Sequence, residues 1–256
     1  VFKEAIALVD IIMEDETIDD LQINGIFVIQ KKNAFRYGVD AVLLANFANI
    51  FKGAEVMDLC SGTGVVPFII AGKTEAKHIT GIEIQKEMVD MAVRSTIYNN
   101  LQDKIDFVQG DISNINFIKN LKKVDIVTVN PPYKPKNSGI VSKNEKNAIA
   151  RHEILCNLED VIASSKEVLK DNGKIYMVHR PERLVDIFSI MRKYNVEPKK
   201  VRMVYPSCDK PPSMVLIEGQ KSGGRFLKWE KPLFIQNEKG EYTEEINKIY
   251  GRTGEM

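Results

Sequence analysis

The sequence is short of several features that would narrow its chemistry at once. Its 256 residues hold three cysteines, Cys60, Cys156 and Cys208, with no CxxC pair. That excludes a disulfide scaffold and a four-cysteine zinc site, and it suits a reducing compartment. The three histidines, His78, His152 and His179, lie far apart, so no metal site is expected. No apolar run reaches the roughly 18 residues of a membrane span. The opening VFKEAIALVDIIMEDE has acidic flanks, unlike a secretory signal, and a cytoplasmic protein is expected. Internal repeats and low-complexity tracts are absent. So is an excess of charge: 36 Lys and Arg against 35 Asp and Glu leave +1, which names no partner by itself.

What is present is ordinary globular material, 44% hydrophobic and 28% charged. A chain this long can bury roughly three quarters of its unfolded surface. The charges are unevenly placed. Residues 1–20 carry seven acids against Lys3 alone. Residues 119–151 carry eight bases against Asp125 and Glu145, and residues 180–202 carry seven bases against three acids. Such basic runs either face an anion, nucleic acid being the commonest large one, or form solvated lysine-rich surface.

From residue 54 onward, short β-rich runs alternate with longer amphipathic ones. Runs 55–60, 78–83, 104–109, 124–130 and 173–179 read as strands. Runs 65–74, 85–99, 112–121 and 157–170 read as helices, the last stopping at Asp171-Asn172-Gly173. This alternation predicts an α/β fold with a mostly parallel sheet covered on both faces. A helix over 181–194 leads to strands at 200–206 and 213–219. The link between those two is too short for a crossover, which predicts an antiparallel pair. Seven strands with the last one reversed is the expected sheet. Ahead of it, 25–31 reads as a strand and 39–50 as a helix. We expect one domain: an extension over 1–53, a catalytic core over 54–220 and a C-terminal extension over 221–256 packed on that core, with Trp229 contributing to the packing.

Four motifs carry chemistry. Asp58-Leu59-Cys60-Ser61-Gly62-Thr63-Gly64 runs from a strand end through a glycine turn into a helix. Gly62 and Gly64 let backbone approach a ligand, and the helix start offers N–H groups. A dinucleotide fingerprint needs a third glycine where Pro67 stands, and without it the turn alone is weak evidence. Glu83 ends the next strand about 20 residues on, where a carboxylate can accept both hydroxyls of a ribose. Asp111 follows the strand after that, placed either to accept from an adenine amino group or to cap a helix. Adenosine without pyrophosphate fits the series, and S-adenosylmethionine (SAM) meets that description. The fourth motif, Asn130-Pro131-Pro132-Tyr133, follows the fourth core strand. Its prolines leave carbonyls free of neighbouring N–H donors. The Asn130 oxygen and a proline carbonyl can together accept both hydrogens of a planar amine, stabilising the positive charge that develops as its nitrogen attacks a methyl group. Tyr133 offers a face for an extruded base.

With these residues the chain resembles the class I, Rossmann-like, SAM-dependent methyltransferases that carry Asn-Pro-Pro-Tyr. More narrowly, it resembles the bacterial enzymes that methylate N6 of adenosine 37 in a valine tRNA. The narrower likeness rests on residues 35–45 (FRYGVDAVLLA), Ala150-Arg151-His152-Glu153, residues 177–184 (MVHRPERL) and residues 240–245 (GEYTEE). Cys60-Ser61 departs from it, since many relatives have Gly-Thr there. The resemblance implies a SAM site at Asp58, Gly62, Gly64, Glu83 and Asp111, with Asn130 beside it. It implies that Arg36, Tyr37, Gly38 and Asp40 close over the methionine end, and that Asn130, Pro131, Pro132 and Tyr133 hold the target amine. Arg36 equally suits a surface ion pair, and Arg151 and His152 either touch RNA phosphate or anchor their loop. Expected tRNA contacts are the basic loop 134–151 and the segment 180–202. Release-factor glutamine-N5 methylation, and adenine-N6 methylation of ribosomal RNA or DNA, use the same motif and remain alternatives.

Overall fold

The computed structural model describes residues 11–32, 38–132 and 157–252. Its main sheet has nine strands. At the centre lie β3 (Glu55–Leu59), β4 (His78–Glu83), β5 (Ile105–Gln109), β6 (Val124–Val129) and β7 (Leu169–His179), all parallel. Beyond them come β8 (Val196–Tyr205) and β9 (Met214–Lys221), with β9 inserted between β7 and β8 and antiparallel to both. The expected antiparallel pair and the one reversed strand are both there.

Side chains alternate across the sheet as strand geometry requires. In β7, Tyr176 and Val178 enter one hydrophobic core while Ile175 and Met177 enter the other; in β9, Leu216 and Ile217 divide the same way. The first core is covered by α1 (Val39–Phe47) and α2 (Val65–Lys73). The second is covered by α4 (Ile115–Lys119), α5 (Leu158–Val168) and α6 (Leu184–Lys193). Burial on both faces is the condition under which parallel strands read as near-continuous apolar runs.

Several expectations need correction. The helix placed at 112–121 is only α4, because Asn114 takes the N-cap with its side chain accepting from Asn116 and Phe117 N–H. The helix expected to stop at 171–173 starts in a capping box between Asn157 and Asp160 but ends at Val168, and the chain is already extended at Leu169. Asn172, at φ 64°, then turns a bulge that shifts the β6–β7 register between Val124 and Ile126. Strand β8 begins at Val196 despite Pro198, which sits at its own register shift and ahead of the outer partner strand.

The sheet also exceeds seven strands. After residue 221 the chain returns to the free edge of β8 as β10 (Lys228–Trp229) and β11 (Leu233–Phe234), and α7 (Glu244–Ile249) buries Ile246 in the first core. Trp229 does not pack inward: it is 60% exposed. The acidic N-terminal stretch contributes a strand that composition alone hides. Strand β1 (Glu16–Asp20) pairs antiparallel with β2 (Phe27–Lys31) as a separate hairpin. The hairpin is fastened to α3 (Lys86–Tyr98): Asn99 accepts from Phe27 N–H and donates to its carbonyl, and Ser95 Oγ accepts from Ile29 N–H. Glu16, wholly buried, receives two bonds of 2.7 Å from the Arg94 guanidinium.

Candidate active site

Among the described residues, Asp40, Asp58, Glu83, Asp111 and Asn130 lie at or beside the C-terminal rim of the parallel strands, where open α/β sheets bind ligands. Strand β3 ends in a turn of unusual backbone: Cys60, Gly62 and Gly64 all have positive φ, at 59°, 56° and 86°. Cys60 thus occupies a conformation that glycine adopts without strain. Gly64 is the N-cap of α2, and a Cβ there would stand 2.4 Å from Phe107 Cζ. A Cβ on Gly62 would meet nothing within 4 Å. One glycine is required by the protein interior, and the other leaves the turn open outward.

Glu83 braces this turn. Buried at the end of β4, it accepts the Gly62 N–H on Oε2 at 2.9 Å and the Gln85 N–H on Oε1 at 3.0 Å. Asp111 lies beyond β5, its Oδ1 accepting from Ser113 N–H and Oγ at 2.8 and 2.7 Å. Its helix-capping alternative falls away, since Asn114 holds that position.

Asp58 lies inside the sheet. It faces Thr128 across the β3–β6 pair, and the Thr128 hydroxyl donates to Oδ1 at 2.6 Å. Burial raises its carboxyl pKa to about 7, the Thr128 bond opposes that rise, and the charge of Glu83 adds to it. The neighbouring buried Ser61 hydroxyl also opposes the rise, through a bond to Asp58 weaker than that of Thr128.

Asn130 follows β6 directly, and its Nδ2 donates to Oδ2 of Asp40, in the first turn of α1, at 3.2 Å. Pro131 and Pro132 continue from it. His179 is the last residue of β7, beside β6 on the same rim, and it is buried. Burial first, then the Arg183 charge, holds its pKa down at about 4, so the ring is neutral at physiological pH. Nδ1 accepts from Arg180 N–H at 2.8 Å, which leaves the proton on Nε2 as a donor.

Arg36, Tyr37, Tyr133, Arg151, His152 and the basic loop 134–151 lie outside the described residues. Of the other basic positions, Arg180 stays beside the rim, its guanidinium donating to the Ser213 carbonyl, while most of the rest sit away from it or face acids. Lys122 and Lys123 precede β6, at the opposite end of the sheet, and bind Glu55 and Glu167. Within 180–202, Arg183, Arg192, Lys193, Lys200 and Arg202 pair with Asp186, Glu197, Glu159, Glu218 and Glu245. That run is a lattice of ion pairs more than an open basic face.

A family model described as a methyltransferase domain matches residues 50–240. The chain belongs to that family. Among curated proteins, this methyltransferase is 26% identical to the tRNA1(Val) (adenine(37)-N6)-methyltransferase of Parabacteroides distasonis, over 85% of this chain and 90% of that one. It is 25% identical to the protein of the same name from Porphyromonas gingivalis, over 72% and 74%. Among solved structures, a protein described as a predicted O-methyltransferase from Agrobacterium tumefaciens superposes with a TM-score of 0.68 at 18% identity. It covers 84% of this chain and 98% of its own, which establishes the class I methyltransferase fold.

Proposed function

We propose that this methyltransferase moves a methyl group from SAM to the N6 amino group of an adenine in RNA, adenosine 37 of a valine tRNA being the substrate that its relatives' names support. The observation that carries the reading is Asn130-Pro131-Pro132 at the end of β6, one strand from the glycine turn that ends β3.

The residues present fit the donor. The turn is open above Gly62, and acidic side chains follow at three successive strand ends. SAM supplies an electrophilic methyl on a cationic sulfur. Asp58, Gly62 and Gly64 would hold its amino-acid end, together with Arg36 and Tyr37. Glu83 would take the ribose hydroxyls, since a carboxylate has about four acceptor positions and the Gly62 and Gln85 N–H groups use only part of them. Asp111 would accept from the adenine amino group. On the acceptor side, Asn130 Oδ1 and a proline carbonyl fix the target nitrogen and favour its charge as it forms. Tyr133 would stack the extruded base, and an unpaired loop nucleotide is the cheapest to extrude.

The test is methylation of tRNA from a strain lacking the gene, with labelled SAM and nucleoside mass spectrometry. N6-methyladenosine at position 37 is expected. Asn130→Ala should cut kcat by at least about 100-fold while SAM affinity is kept. Methyl appearing only on protein glutamine or on DNA adenine, with tRNA unmodified, overturns the proposal.

A further inference from the structure

We propose that Asp40 is a positioning residue for the methyl acceptor: its carboxylate fixes the amide orientation of Asn130, and position 38 is glycine so that it can. The inference rests on the role of Asn130 proposed above and deepens it. Asp40 is the second residue of α1, whose next five residues, Ala41 through Ala45, are buried. Its Cα is therefore held by the core and not by a loop. Oδ1 accepts the Ala41 N–H at 2.9 Å, tying the carboxylate to the helix start, where an anion is favoured. Oδ2 accepts from Asn130 Nδ2 at 3.2 Å across 90 residues of sequence.

An ionised carboxylate only accepts, so the Asn130 amide can face it in one way, with nitrogen inward. The carbonyl oxygen then lies on the opposite edge, the edge that must accept a hydrogen of a planar amine.

Gly38 gives the second, independent observation. Its φ of −94° is open to any residue, so the backbone does not call for glycine here. Space does: a Cβ would stand 2.6 Å from Oδ1 and 3.4 Å from Cγ of Asp40. An alanine would push the carboxylate out of the position from which it holds Asn130. The resemblance placed Gly38 and Asp40 over the methionine end of the cofactor, but the contact Asp40 makes is with the acceptor loop, and the two roles separate experimentally. A cofactor residue moves SAM affinity; a positioning residue moves turnover.

The experiment compares the whole chain with Asp40→Asn, Gly38→Ala, Asn130→Asp, Asn130→Ala and the swap Asp40→Asn/Asn130→Asp. Initial rates on unmodified tRNA, SAM calorimetry and melting temperature are read for each. Asp40→Asn should lower kcat about tenfold, with the SAM Kd and the KM for tRNA near wild type. Gly38→Ala should shift kcat the same way with Asp40 still present. The swap rebuilds a carboxylate–amide pair in reverse and should turn over faster than either of its single variants. A SAM Kd that rises in step with the kcat loss in Asp40→Asn overturns the inference. So does an unchanged kcat in Asp40→Asn beside an inactive Asn130→Ala, an outcome that leaves the role of Asn130 standing. An active Asn130→Ala removes both.

Discussion

Replacing Asp58 by asparagine should make the protein more stable, and increasingly so as pH rises. The buried carboxyl holds its proton up to about pH 7, against an ordinary value of 3.8. Between those two values the unfolded chain has released the proton while the folded chain keeps it. Folding stability therefore falls as pH rises through this window and levels off above it. Each pH unit is worth about 1.36 kcal/mol, so the whole window amounts to at most about 4 kcal/mol. Asparagine keeps the shape and can still accept the Thr128 hydroxyl, which now reaches Oδ1 at 2.6 Å, but it cannot ionise. Every other titrating group is common to both proteins and cancels in the difference. Urea unfolding of the two ligand-free proteins at about pH 5 and about pH 7.5 reads that difference directly from the midpoints and slopes. The advantage of Asp58→Asn should be about 1–2 kcal/mol at the lower pH and grow by roughly a further 2–3 kcal/mol at the higher. A difference that stays constant, or shrinks with rising pH, would mean that Asp58 ionises normally inside the sheet and that burial is not what governs it.

Two further outcomes follow from the geometry. Gly64→Ala should destabilise by about 2–4 kcal/mol, because positive φ adds strain to a Cβ 2.4 Å from the Phe107 ring; Gly62→Ala, with open space around it, should cost about 1 kcal/mol in the fold and act chiefly on SAM affinity. Thermal melts beside calorimetry separate the two, and equal destabilisation would refute the division of labour. Glu16→Ala should cost about 2–3 kcal/mol in urea unfolding, short of the full penalty of an orphaned buried charge because Arg94 keeps Asp90 at 2.7 Å. A loss under about 0.5 kcal/mol would mean that the pair does not fasten the hairpin.

The parallel core was legible because its strands are buried on both faces and bounded by turn residues, a pattern that survives without tertiary information. Strand β1 was not: Glu16 reads as one more surface acid until Arg94, 78 residues away, is placed against it. The true end of α5 was hidden for a related reason. Asp171-Asn172-Gly173 has the composition of a helix stop but serves as a bulge inside β7, a use fixed by the register of β6. Trp229 misled through its size, since an apolar side chain on a two-residue edge strand has no second layer above it. In the site, the glycine turn and the strand-end acids were readable from spacing alone. Phe107 could have been marked as the ring that a bare Gly64 accommodates, for it sits mid-strand one strand beyond Glu83. The Asp40–Asn130 bond could not, because no local pattern links a helix start to a loop 90 residues on.

The inserted strand governs how this chain can be made. During synthesis the central strands appear in the order β3, β4, β5, β6 and β7, and each can dock as its crossover closes. The next to appear, β8, belongs one place farther out, and the gap is filled only when Met214–Lys221 has emerged. Until then the outer edge of β7, from Lys174 to His179, has its ladder groups unpaired and its apolar neighbours uncovered. The nascent protein is thus expected to pass through a half-built, adhesive sheet, of the kind that chaperones capture. A chain stopped short of β9 would be an aggregation-prone half-sheet and not a smaller enzyme, and the speed of translation between residues 180 and 221 sets how long that edge stays open.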